Sequence, residues 1–183
     1  VQLGLTTEGA SVLSLADRGE MFLERNGVTN GSMERIRDFL AQNRFAFVGV
    51  SRQPKDFSRA LFREFRARGY NAIPVHPQAD AIEGVPAFRS LRDIDPPVDS
   101  VLLMTSPAVT QTLVRECAQA GIKRVWLYRG GGRGTGTAEA VRLCEHNGIS
   151  VVPGECPFMF FPETGLIHRF HGFVRKIAGT YPD

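Results

Sequence analysis

The stretch GVSRQPKDFS, residues 49–58, gathers the residue types that hold a phosphate. Gly49 permits close backbone approach, Ser51 and Ser58 carry hydroxyls, Arg52 and Lys55 carry charge, and a helix beginning near Asp56 or Phe57 offers free amides. A surface helix N-terminus contributes only about 0.3–1 kcal/mol toward an anion, so hydrogen bonds and cations have to supply most of the affinity. The competing reading is an ordinary turn with solvated charges. The stretch has Gly49 but no G-x-G-x-x-G, the usual dinucleotide fingerprint.

The end of the next apolar segment narrows the ligand. An NAD site normally places Asp or Glu there, about 20 residues past the glycine loop, to bind the ribose hydroxyls. Here NAIPVHPQAD runs from Val75 into His76 and Pro77 with no carboxylate before Asp80. A ligand with a further phosphate near its ribose fits better, which leaves NADP or coenzyme A; the latter brings roughly four negative charges.

Three other stretches invite chemistry. RGGGRGTGT, residues 129–137, is not a Walker motif, since no Lys follows its last glycine, but its amides could bind a pantetheine arm or a second anion; the alternative is a plain crossing loop. Cys156 in PGECPF follows the last apolar segment and precedes a proline, and a redox role such as a mixed disulfide is one reading of it. A buried cysteine at a Cys-Pro corner is the stronger reading, because no neighbouring cation lowers its pKa. His168 and His171 in HRFH are half of a metal set with no third ligand, so no metal is assigned; Phe170, Phe173, Val174 and Ile177 read as an apolar helix stripe that packs on the domain or covers a protein partner, a second copy included.

Positioning these groups requires strands alternating with helices. Residues 44–50, 71–75, 98–104, 123–128 and 149–153 are short and mostly apolar, as strands buried on both faces must be, and a weaker strand is expected at 86–88. Helices are expected at 33–43, at 57–68 with Leu61, Phe62 and Phe65 inward, at 107–120 with Pro107 in the first turn, and from a Thr137 cap to a stop at Gly148. This is an α/β chain: a Rossmann-like, doubly wound, mostly parallel sheet of five or six strands with helices on both faces. The loops after Val50, Val75, Met104 and Tyr128 then face the ligand crevice, and Tyr128 joins the expected contacts.

Composition limits the alternatives. A chain of 183 residues, 43% hydrophobic, supports one well-buried domain. A net charge of +3 suits an anionic small molecule and falls short of the basic patches of a nucleic-acid binder. No apolar run reaches the roughly 18–20 residues of a membrane span, and no signal peptide is evident, so a cytoplasmic protein with reduced thiols is expected. Residues 1–32 read as an appendage ahead of a domain at 33–157, with a tail at 158–183.

The segments FVGVSR, GYNAIPVHP, EGVPAFRSLRDI, PVDSVLLMTSP, AGIKRVWLY and GISVVPGECP, in that order, resemble the small single-domain CoA-binding proteins related to the N-terminal domain of succinyl-CoA synthetase α-subunits. The resemblance covers residues 45–157, and CPFMFFPETGLIHRFHGFVRKIAG resembles the tail of one branch. It implies that Gly49, Val50, Ser51 and Arg52 hold a pyrophosphate with Lys55 and Ser58 in reach. It also implies that Val75, His76 and Pro77 lie against the adenosine end, and that Met104, Thr105, Ser106 and Pro107 wall the adenine or ribose. His76 stands where an asparagine is more usual in that family. The synthetases' phosphorylated histidine belongs to a second domain, for which this chain has no room.

Three functions remain open: a coenzyme A or acyl-CoA binder without catalysis of its own, an NAD(P)-dependent oxidoreductase, or an interaction protein with a vestigial nucleotide site. A dehydrogenase calls for an acidic residue or an arginine pair at the end of the second strand, and for an acid or base aimed at a substrate; the sequence displays neither. No catalytic residue is assigned.

Overall fold

Near-continuous apolar strands can be buried on both faces only if helices cover each, and the chain folds that way. The structure, a computed structural model, describes residues 30–128 and 137–161; the expected appendage up to residue 29, the glycine-rich stretch 129–136 and the tail from 162 on, with His168 and His171, lie outside the described residues.

Helix α1, Asn30–Leu40, precedes strand β1, Arg44–Val48, which is followed by α2, Phe57–Ala67, and β2, Asn71–Val75. A hairpin of β3, Ala81–Ile82, and β4, Val85–Pro86, leads through a 3-10 turn at Leu91–Asp93 to β5, Ser100–Leu103. Helix α3, Pro107–Gln119, β6, Arg124–Leu127, α4, Ala138–His146, β7, Ser150–Pro153, and a second 3-10 turn, Pro157–Phe160, complete the order. Five of the strands form one parallel sheet in the order β2-β1-β5-β6-β7. The chain steps from β1 outward to β2 and then back past β1 to β5, so the order reverses between β1 and β5.

The period of two along each strand sorts side chains between two cores. Phe45, Phe47, Leu102 and Trp126 face α1 and α2, where Ile36, Phe39, Leu61, Phe62 and Phe65 are buried. Ala46, Val48, Val101, Leu103 and Val125 face α3 and α4, where Val114, Cys117, Ala140 and Cys144 are buried. Each large side chain so covered contributes about 1.5–3 kcal/mol. Arg124 fixes α1 to the sheet by pairing with Asp38 at 2.7 Å and Asp99 at 3.0 Å.

Several boundaries differ from expectation for local reasons. Helix α1 begins at Asn30, ahead of Met33, so the end of the expected appendage is helical. β1 stops at Val48, short of Val50, because Gly49 leaves the extended region at φ +94°. The weak sixth strand divides: Val85–Pro86 pairs antiparallel with Ala81–Ile82, and Phe88 makes a single parallel bridge to Val75. The hairpin turns on Glu83 and Gly84, both at positive φ, as a two-residue turn between right-twisted strands requires.

Candidate functional site

Gly49 sets the geometry where the strand order reverses. A Cβ at this position would lie 2.3 Å from the Met104 carbonyl oxygen, so the loop after β1 rests directly on the loop after β5. No side chain fits there, and the positive φ independently favours glycine.

The loop beyond Gly49 is braced from within. Asp56 caps α2, its Oδ1 accepting from the Ser58 amide at 2.8 Å and the Ser58 hydroxyl at 2.6 Å, while Ser58 Oγ accepts from the Ser51 amide at 2.8 Å. Ser58 is therefore buried and engaged in holding the loop, a correction to its expected place in reach of a phosphate. The Val50 side chain is likewise turned into the core beneath α2, which leaves only its backbone toward a ligand. Ser51 Oγ accepts from the Gln53 amide at 3.1 Å and keeps its own proton to donate.

Arg59 fixes the peptide orientation. Its Nη1 donates to the carbonyls of Ser51 at 3.2 Å and Arg52 at 3.4 Å, while its Nε donates to Glu83 at 2.6 Å. In a trans peptide the C=O and N–H point opposite ways, so drawing the Ser51 carbonyl to Arg59 turns the Arg52 amide outward. Arg52 and Lys55 are exposed and take part in no ion pair among the described residues.

At the end of β2 the fold adds a cation that the sequence did not announce. The bridge from Val75 to Phe88 carries Arg89 beside His76 and Pro77, where its Nη1 donates to the Pro77 carbonyl at 2.8 Å and its other terminal nitrogen to Asp80. His76 is half-buried, and its Nδ1 accepts from the Gln78 amide at 3.0 Å. Burial pushes the His76 pKa down, and Arg52 and Arg89 push it the same way. The expectation that no arginine pair stands at the end of the second strand is thus corrected. Arg52 arrives from the loop after β1 and Arg89 from beyond the hairpin, so no sequence window contains both.

A cavity of about 380 Å³ opens at this point, within the usual range for small-molecule sites. It collects Gly49, Val75, His76, Pro77 and Thr105 from the predicted set and adds Arg89 and, from α3, Val109, Leu113 and Glu116. Arg89 has no local signal in the sequence. Val109, Leu113 and Glu116 do, because the spacing i, i+4, i+7 puts them on one face of a helix that starts beside the crevice. Thr105 is held by a 2.9 Å hydroxyl contact with Thr110, and Ser106 is exposed at the start of α3 ahead of Pro107.

Tyr128 and Cys156 do not line this cavity. They lie past β6 and β7, where the Tyr128 ring stacks on Phe57 with centroids 5.5 Å apart. Burial, with the Cys156 thiol adding, pushes Tyr128 up to about 12. Burial also pushes Cys156 up, while the backbone of Phe158 and Met159 opposes the shift by hydrogen bonding. Cys117 and Cys144 are buried and pushed up to about 12 by desolvation. A raised thiol pKa leaves little thiolate, the reactive form.

Residues 43–162 match the family described as CoA binding domain. The chain belongs to that family. The CoA binding domain resembles the uncharacterized protein YneT of Bacillus subtilis, 28% identical over 128 residues that make up 69% of this chain and 92% of that protein. It also resembles the α-subunit of the ADP-forming acetate–CoA ligase II of Pyrococcus furiosus, 26% identical over 72% of this chain but only 30% of the subunit. Among solved structures, a hypothetical protein from Pyrococcus horikoshii superposes with a TM-score of 0.62 at 26% identity, covering 68% of this chain and 85% of that one. The similarity to the ligase thus spans less than a third of the ligase subunit. No helix among the described residues is long and apolar enough to cross a membrane.

Proposed function

We propose that the crevice between β1 and β5 binds coenzyme A or an acyl-CoA, and that the protein acts as a carrier, sensor or regulatory module without chemistry of its own. One observation carries this reading: the cavity at the reversal of strand order is apolar inside and lined at one end by His76 and Arg89, with the charge of Arg52 also acting on His76, as a purine nucleotide with an extra ribose phosphate requires. The Ser51 hydroxyl, the Arg52 amide and the charges of Arg52 and Lys55 then hold the pyrophosphate, and the arm leaves over the carboxyl ends of β5 and β6 toward Tyr128 and Cys156. Family membership supports the same ligand. A cytoplasmic setting belongs to the proposal, since Cys117, Cys144 and Cys156 are all free thiols.

A second reading has one observation in its favour. The Arg52 and Arg89 pair at the end of β2 equally suits the 2′-phosphate of NADP, which would make the protein an oxidoreductase. Calorimetric titration with coenzyme A, acetyl-CoA, NAD and NADP separates the two, together with native mass spectrometry of the purified protein. Binding of coenzyme A or its thioester, with neither dinucleotide bound, is the expected result. Selective binding of NADP would move the assignment to the oxidoreductase, and silence from all four would leave an interaction protein with a vestigial site.

A further inference from the structure

The cavity is chemically two-ended. His76, Arg89 and the Gly49 loop lie at one end, and Val109, Leu113 and Glu116 form a stripe along α3 at the other wall. Seven residues of helix separate Val109 from Glu116, about 10 Å along the axis. Val109 is at the mouth, beside the carboxyl end of β5, and is 49% exposed. The first two positions of the stripe are apolar, as a helix face turned to a pocket should be, and the third is a carboxylate.

Among the described residues, that carboxylate has no partner to bind. Glu116 is half-buried, and its side chain makes no hydrogen bond or ion pair among the described residues. Arg89, which lines the same cavity, is committed to Pro77 and Asp80, and Arg92 to Gln119. Before a ligand enters, water can solvate Glu116. A ligand that fills the cavity displaces this water, and the carboxylate then demands a donor, because a half-buried charge left unmatched is costly.

We infer that Glu116 reads the base of the bound nucleotide, its carboxylate accepting a hydrogen bond from the exocyclic amino group of adenine. This rests on the coenzyme A reading and deepens it. The phosphates sit at the cationic end and the purine lies between Leu91, Val109 and Leu113, with its amino edge toward Glu116. A base with a keto oxygen at the same position would set two acceptors against each other. A site built around a hydrogen bond rejects an analogue lacking the matching group far more strongly than an apolar pocket does.

The test compares adenosine 3′,5′-bisphosphate with purine riboside 3′,5′-bisphosphate, which has the same charge and shape but no 6-amino group. Titration calorimetry on the native protein should favour the adenosine compound by roughly ten- to a hundredfold, the worth of one hydrogen bond to a charged group. Glu116→Ala should bring the two affinities within about threefold and bind the purine riboside compound at least as tightly as the native protein does, since a negative charge is gone. Glu116→Gln, whose amide oxygen still accepts without the charge, should keep part of the preference. Equal affinities in the native protein, or an unchanged ratio in Glu116→Ala, overturn the assignment while coenzyme A binding stands. If the native protein binds neither bisphosphate nor coenzyme A, the coenzyme A reading falls and takes this one with it.

Discussion

Arg59 joins Glu83 to Ser51: its guanidinium donates to the Glu83 carboxylate at 2.6 Å and to the Ser51 carbonyl at 3.2 Å. The hairpin turn of β3 and β4 thereby braces the loop after β1, and Arg63 adds a second bond to Glu83 at 2.7 Å. Glu83→Gln should weaken coenzyme A binding several-fold, because the outward Arg52 amide depends on the carbonyl that Arg59 holds, while the fold survives. The Arg59 hydrogen bond holds the Glu83 carboxyl below its ordinary value near 4.5. More protons are then bound by the unfolded chain than by the folded one in that range, so the brace is fully present above pH 4.5 and is lost as pH falls through the lowered folded value. Chemical denaturation of native protein and variant across pH 3 to 6 should show this extra acid sensitivity in the native protein alone.

Gly49→Ala tests the contact at the strand reversal. The new Cβ would meet the Met104 carbonyl oxygen at 2.3 Å and its carbon at 2.7 Å, both backbone atoms that cannot swing aside. Strain at positive φ and overpacking together cost on the order of 2–6 kcal/mol. A large fall in melting temperature is expected, with binding lost. A variant that melts as the native protein does would mean that the two loops are not in contact.

Much of this was legible from residues alone. The strand 71–75 is bounded by Asn71 and Val75 as its apolar run indicated, and Thr137 caps α4 by accepting from the Ala140 amide. These features are local, encoded in a few neighbouring side chains. Arg89 was not legible, because its place beside His76 depends on the hydrogen bonds that Phe88 exchanges with Pro74 and His76 across the hairpin. Ser58 looked like a phosphate ligand because a hydroxyl at a helix start has two uses, and only the positions of Asp56 and Ser51 decide that here it holds the loop. Tyr128 and Cys156 were grouped with the crevice because every βα loop ends on that side, yet β6 and β7 are the strands farthest from the reversal on their side of the sheet.

Ser51 and Arg52 separate a hydrogen bond from a charge. Ser51→Ala removes one donor to a phosphate, worth about 1.5–3 kcal/mol or roughly tenfold or more in affinity, and should change stability by no more than about 1 kcal/mol. Arg52→Glu removes an attraction and adds a repulsion against the pyrophosphate, so its loss should exceed that of Ser51→Ala by about tenfold or more. Calorimetry at two salt concentrations checks both, since the Arg52 contribution should shrink with added salt and the Ser51 contribution should not.

His76 should make binding pH-dependent in a direction that the site dictates. Burial, Arg52 and Arg89 all hold its pKa below the ordinary 6.5, so it is neutral in the free protein at pH 7. In the absence of ligand the unfolded chain therefore binds more protons near pH 6, and His76 subtracts stability as pH falls through 6.5. A phosphate held beside the ring reverses the balance, since an anion favours the imidazolium and raises the pKa in the complex. Binding then takes up a proton, and affinity should rise as pH is lowered from 7.5 toward 5.5. The phosphate itself titrates in this range, so the contribution of His76 is the part of the slope that disappears in His76→Gln. Two readouts check the assignment: a proton count from calorimetry in buffers of different ionisation enthalpy, and the ring chemical shift of His76 with and without coenzyme A. Arg89→Ala should raise the pKa of His76 in the free protein by removing one of the two cations that depress it. An imidazole that titrates at the same pH in the free, bound and Arg89→Ala forms would place the ribose phosphate somewhere other than the end of β2.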